Sequence, residues 1–157
     1  MKKIESFRVN HTALVPGVYV SRIDYVHDAP VTTYDVRLVR PNTSAILSPA
    51  AMHTIEHLGA TYLRNSSLAD EVIYFGPMGC RTGFYLILQG NRTPMELKDI
   101  LTDTFSFIAG FHGDIPGASA EECGNYTDMD LTGAKAESLK YLAVLSQLTA
   151  QNTRYPE

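Results

Sequence analysis

The stretch Gly17-Val18-Tyr19-Val20-Ser21-Arg22-Ile23-Asp24-Tyr25-Val26-His27-Asp28-Ala29-Pro30-Val31-Thr32-Thr33-Tyr34-Asp35-Val36-Arg37-Leu38-Val39 decides the fold class. Val18, Val20 and Ile23, with Tyr19 and Tyr25, give the β-branched and aromatic content of a strand over about residues 17–26. His27-Asp28-Ala29-Pro30 reads as a turn. From 31 to 39, Tyr34, Val36 and Leu38 share one face, while Asp35 and Arg37 take the other, read as a solvated face. Two such runs joined by a short turn form a β-hairpin, so the chain begins with antiparallel pairing.

Beyond the hairpin, Ser48-Pro49 predicts a helix start, the serine capping and the proline at the first helical position. That helix runs to about Asn65 and buries Met52, Ile55, Leu58, Tyr62 and Leu63. Strands are expected near residues 70–76 and 81–90, joined by Gly76-Pro77-Met78-Gly79-Cys80 as a second hairpin. Thr93-Pro94-Met95-Glu96 is a capping box opening a helix to about residue 111. Ser119-Ala120-Glu121-Glu122 reads as another, for a short helix carrying Cys123. Asp130 caps a last helix with Leu139, Leu142, Leu145 and Leu148 as its stripe. Met78, Phe84, Tyr85 and that stripe are assigned to the core. The order ββαββααα predicts an α+β fold, an antiparallel sheet of two hairpins with helices packed on one face. No repeat or linker divides residues 1–157, which read as one domain.

Composition excludes several classes of function. Thirteen basic and 17 acidic residues give a net charge of −4, with no basic cluster longer than Lys2-Lys3, so nucleic acid and anionic membrane have no electrostatic footprint. No apolar run approaches the roughly 18 residues of a membrane span. No signal core follows Met1-Lys2-Lys3, and two cysteines without one point to free thiols in the cytoplasm.

His53-Thr54-Ile55-Glu56-His57 carries the chemistry. Residues four apart on a helix share a face, with Cβ atoms roughly 5–6 Å apart, so both imidazoles can bind one ion. Glu56 falls on the same side and can serve as a general base, in the H-x-x-E-H pattern of inverted metallopeptidase motifs. Two imidazoles are too few. His11, His27, His112, Cys80, Cys123 and the carboxylates are all candidates for the rest, and spacing does not choose among them. Cys80 sits at a hairpin tip beside Arg81, where a cation favours thiolate. A zinc hydrolase and a non-catalytic metal-binding module, closed by a fourth ligand such as His11, are the rival readings.

Five motifs together resemble the S-ribosylhomocysteine lyase (LuxS) family. They are Glu5-Ser6-Phe7 with His11, Tyr34-Asp35-Val36-Arg37, His53-Thr54-Ile55-Glu56-His57, Pro77-Met78-Gly79-Cys80-Arg81-Thr82-Gly83 and Glu122-Cys123-Gly124. The resemblance implies His53, His57 and Cys123 as metal ligands, holding ferrous iron and accepting zinc or cobalt. It implies Cys80 and Glu56 as the acid/base residues. Ser6, His11 and Arg37 would contact a sugar, and Arg64 a homocysteine carboxylate. It also implies a homodimer in which the Ser6–His11 stretch completes the neighbouring subunit's site. Where many members read Asp-Ile-Ser, this chain has Tyr74-Phe75-Gly76, and Tyr74 supplies no carboxylate.

The implied reaction cleaves S-ribosylhomocysteine to homocysteine and 4,5-dihydroxy-2,3-pentanedione, the precursor of the quorum-sensing signal autoinducer-2. A thioether carbon eliminates only beside a carbon made acidic by a carbonyl, so the sugar's carbonyl must first migrate by two proton shifts. A Lewis acid on the oxygens and positioned bases drive each shift. Cys80 as thiolate is assigned the early shifts, Glu56 the later shift and the elimination. Homocysteine would return to the activated methyl cycle.

Overall fold

A computed structural model describes residues 2, 4, 7–43 and 45–156. Four strands form one antiparallel sheet in the order β1-β2-β4-β3. β1 (Gly17–Val26) and β2 (Ala29–Arg37) make the first hairpin, β3 (Val72–Pro77) and β4 (Gly83–Gln89) the second. β2 pairs with β4 to fuse them. The first turn has only two residues, His27 (φ 49°) and Asp28 (φ 66°), both left-handed. Two consecutive positive φ angles match the right-handed twist of the flanking strands, so the hairpin closes tighter than the four-residue turn expected from sequence.

Between the hairpins runs α1 (Pro49–Arg64). The Ser48 hydroxyl accepts from the Ala51 amide at 3.2 Å, as its capping role requires. The Thr93–Glu96 capping box forms too, but opens on a 3-10 turn, Pro94–Leu97, before α2 (Lys98–Gly110). Asp130 accepts from Gly133 N at 2.8 Å to start α3 (Leu131–Ser146). These three helices cover one sheet face. Val18, Tyr34, Val36, Phe84, Leu86 and Phe75 meet Ile55, Leu58, Leu101, Phe105 and Tyr141 there. Phe75 stacks on Phe84 with ring centroids 5.1 Å apart, and each fully buried side chain of this size contributes about 1.5–3 kcal/mol.

Other expectations are corrected. Residues 119–127 form turns rather than the short helix expected around Cys123. The Ser119 hydroxyl reaches Glu122 and Cys123 N bonds Ser119 O, yet one turn bounded by Gly117 and Gly124 is too short to propagate. Leu139 is 59% exposed, because steps of three along a helix drift about 60° each. Leu145 and Leu148 are buried as expected, and Ala134, Ser138 and Tyr141 complete the buried face with Leu145. Tyr85 is half-buried on the far sheet face, outside the core.

The largest correction concerns Asp35 and Arg37. They are 1% and 3% exposed, not solvated. The segment after α3 folds across the far face of the sheet, tied by Val18 N to Asn152 O at 3.0 Å. Tyr155 stacks on Tyr19 (4.9 Å) and its hydroxyl donates to Asp35 Oδ2 at 2.9 Å.

Candidate metal centre and thiol loop

Three donors converge on α1. One ligand atom each from His53, His57 and Cys123 lies within 4.8 Å of the others. Helical periodicity alone places the imidazoles, whose ring centroids are 4.7 Å apart. The loop after α2 supplies the rest. Its path brings Pro116 O to His57 Nδ1 at 2.7 Å and Asp128 O to His53 Nδ1 at 3.0 Å. A carbonyl only accepts, so both Nδ1 atoms donate, and in a neutral imidazole Nε2 is then the nitrogen left to bind a cation. Cys123 Sγ sits 3.4 Å from His53 Nε2 and receives the Asn125 amide at 3.5 Å. Each imidazole is thus oriented by a backbone carbonyl, which is how metal-binding histidines are fixed in tautomer and direction. Two neutral nitrogens and one sulfur suit zinc, cobalt or ferrous iron. The residues fit a divalent cation.

Gly117 makes this approach possible. Its φ is +72°, and a Cβ there would stand 3.2 Å from His57 Nδ1. Among the described residues the donor cluster stops at three. His27 lies on the first hairpin turn, and His112 is exposed after α2. His11 bonds its own loop, Nδ1 to Val9 O at 2.9 Å.

Glu56 is half-buried and lines a hollow of about 280 Å³ with His53, Met52, Met78, Gly79 and Arg81. Cys80 is exposed at the tip of the second hairpin, with Arg81 at φ 58° beside it. Behind that tip a second hollow, about 480 Å³, is lined by Cys80, Thr82, His11, Asn42 and Ile46. The thiol loop therefore borders both spaces. Arg37 Nη1 lies 3.8 Å from Cys80 Sγ and donates to Thr82 Oγ1, while Cys80 Sγ and Thr82 Oγ1 are 3.0 Å apart. Burial pushes the Arg37 guanidinium toward deprotonation, but Asp35 at 2.5 Å outweighs it and the net shift is upward.

Arg64 stands at the far end of α1, about 10 Å along the helix axis from His57. Its guanidinium donates to Val72 O and Ile73 O at 3.3 and 3.0 Å. Ser6 lies outside the described residues. Tyr74 is 44% exposed and folds its hydroxyl over residue 76, where any Cβ would collide with it. Gly76 leaves room for the tyrosine to lie in this position.

The sequence reading missed Thr82, Tyr155 and the carbonyls of Pro116 and Asp128. Thr82 lies with Cys80 in the turn ahead of β4, where strand alternation does not operate. The carbonyls leave no trace in side-chain identity.

A family model described as S-Ribosylhomocysteinase (LuxS) matches residues 4–152. An S-ribosylhomocysteine lyase of Finegoldia magna is 53% identical over 157 residues, covering all of both chains. One of Clostridium acetobutylicum is 51% identical over 158 residues at the same coverage. One of Borreliella afzelii is 52% identical over 157 residues, covering 99% of this chain and 100% of its own. With the match running nearly end to end, the chain belongs to the S-ribosylhomocysteinase (LuxS) family.

Proposed function

We propose that this chain, as one domain, is a carbon–sulfur lyase. It cleaves S-ribosyl-L-homocysteine to L-homocysteine and 4,5-dihydroxy-2,3-pentanedione, the autoinducer-2 precursor. The observation that carries the reading is the three-donor cluster beside Glu56, with a thiol loop across the same hollow. It is joined by full-length identity of about half to proteins named for this reaction.

The proposed ligands are His53, His57 and Cys123, and the proposed ion is Fe(II), with Zn(II) or Co(II) as substitutes. A divalent cation there supplies Lewis acidity toward the sugar's oxygens. The chain's own residues do the rest. Cys80, beside Arg37, takes a proton from one sugar carbon and returns it to the next. Glu56 performs the later shift and removes the proton whose loss expels the homocysteine thiolate. Bases of this kind contribute factors of about 10² to 10⁴ each. Arg37, His11 and Ser6 hold the sugar, and Arg64 pairs with the amino-acid carboxylate.

We read the molecule as a cytoplasmic homodimer whose N-terminal stretch completes the neighbour's site. Exposed Ile23 and Tyr25 on β1, with Ile73 and Tyr74 on β3, support an apolar contact. Product roles in quorum sensing and the activated methyl cycle follow from the two released compounds.

The test is anaerobic purification, metal analysis, and a thiol-release assay on S-ribosylhomocysteine. Cys80→Ala should keep its metal and lose turnover. Cys123→Ala should lose the metal. Wild-type, metal-loaded protein that liberates no homocysteine would sink the reading.

A further inference from the structure

We propose that Tyr155, from the segment following α3, is a positioning residue for Cys80. Together with Asp35 it fixes the Arg37 guanidinium against Thr82 and the Cys80 sulfur. The inference rests on the reading of Cys80 as a proton-transfer residue, which needs a thiolate held beside a fixed cation.

A continuous path of polar contacts crosses the sheet. Tyr155 OH donates to Asp35 Oδ2 (2.9 Å), and Arg37 Nη2 donates to the same oxygen (2.5 Å). Arg37 Nη1 donates to Thr82 Oγ1 (2.5 Å) and lies 3.8 Å from Cys80 Sγ, while Thr82 Oγ1 lies 3.0 Å from that sulfur. The path starts in the segment after α3 and ends at the tip of the second hairpin.

Asp35 is the joint. Among the described residues its Oδ1 has no partner, and neither has Arg37 Nε, so both contacts of this buried carboxylate fall on Oδ2. Tyr155 is then the one neutral donor sharing the charge among the described residues. Without its hydroxyl, Asp35 would stand on the guanidinium alone. Its negative charge would be less compensated, and Arg37 would be drawn toward it and away from Cys80. Both changes disfavour a thiolate at Cys80.

Tyr155 is itself well held. Its ring stacks on Tyr19 at 11° between planes, and Tyr19 OH is fixed on Val15 O at 2.8 Å. Burial first, then the charge of Asp35, pushes the Tyr155 phenol well above its ordinary range, so it remains a donor. The far sheet face thereby gains a function that alternation of residues alone does not reveal.

The experiment uses the full-length, metal-loaded protein and three variants: Tyr155→Phe, Asp35→Asn and the double mutant. Tyr155→Phe keeps the stacked ring and removes only the hydroxyl. Alkylation of Cys80 by iodoacetamide at neutral pH is followed by peptide mass spectrometry, with metal content and homocysteine release measured alongside. Tyr155→Phe should slow both Cys80 alkylation and kcat by about three- to tenfold, the worth of one hydrogen bond. Metal content and Cys123 alkylation should not change. In the Asp35→Asn background the second substitution should add nothing, because the two residues act through one contact.

Cys80 alkylation at the wild-type rate in Tyr155→Phe would overturn the proposal. So would full additivity with Asp35→Asn, or loss of metal in step with reactivity. Should wild-type protein release no homocysteine, the lyase reading fails, yet the alkylation series still decides the role of Tyr155.

Discussion

Replacing Gly117 with alanine should loosen the metal centre without touching any ligand. Gly117 holds φ +72°, and the new Cβ would lie 3.2 Å from His57 Nδ1. The left-handed backbone costs an alanine about 1–2 kcal/mol, a fall in Tm of about 3–6 °C for a chain of this length. The close contact has a separate consequence. Relief of it moves the loop, and with it the Pro116 carbonyl that orients His57 at 2.7 Å. Loss of such an orienting partner lowers metal affinity about 10- to 100-fold. The assay is competition with a chromogenic chelator on refilled protein, beside a thermal melt of the metal-free form. Gly117→Asn separates the two effects. Asparagine tolerates the left-handed region but still carries a Cβ, so it should recover much of the Tm and little of the affinity. A chelator curve for Gly117→Ala that superimposes on wild type, at a lowered Tm, would show strain without coupling and refute the reasoning.

Thr54 is fully buried, and its hydroxyl accepts the Asp130 amide at 2.8 Å while donating to Ala50 O. Thr54→Val keeps the shape and strands that amide, so stability should fall by about 1–3 kcal/mol; an unchanged melt would contradict this. Glu71 is paired with Arg92 at 2.6 Å, and the Arg92 hydrogen bond, partly opposed by burial, holds its carboxyl below the usual range. A depressed carboxyl stabilises the fold above its unfolded value and loses that contribution as pH falls through its folded value. Glu71→Gln should therefore be less stable by under about 1 kcal/mol at neutral pH, with the gap closing in acid. A gap that is constant with pH counts against the assignment. Glu56→Gln should keep its metal while homocysteine release drops by about 10²-fold or more, and release at the normal rate removes Glu56 from the reaction.

What could be read from the sequence divides along a physical line. His53, Glu56 and His57 share one helix, so their geometry follows from 3.6 residues per turn and needs no knowledge of the rest of the chain. Both hairpins follow from alternation and turn chemistry in the same local way, and the structure bears them out. Cys123 reaches the histidines through a loop whose course depends on Gly117 and on two backbone carbonyls. No spacing rule sees that, and only the family resemblance selected it over Cys80. Local rules mislead at Asp35 and Arg37 for a related reason. Alternation correctly puts them on the face opposite the core, but whether that face meets water is decided by Tyr155, on the other side of the sheet from anything nearby in sequence. Period and propensity determine which side a residue takes, and long-range covering determines what that side becomes. A charged pair left on the supposed outer face of a central strand is then worth reading as a demand for a distant partner. Here that partner is Tyr155, in the segment that follows α3.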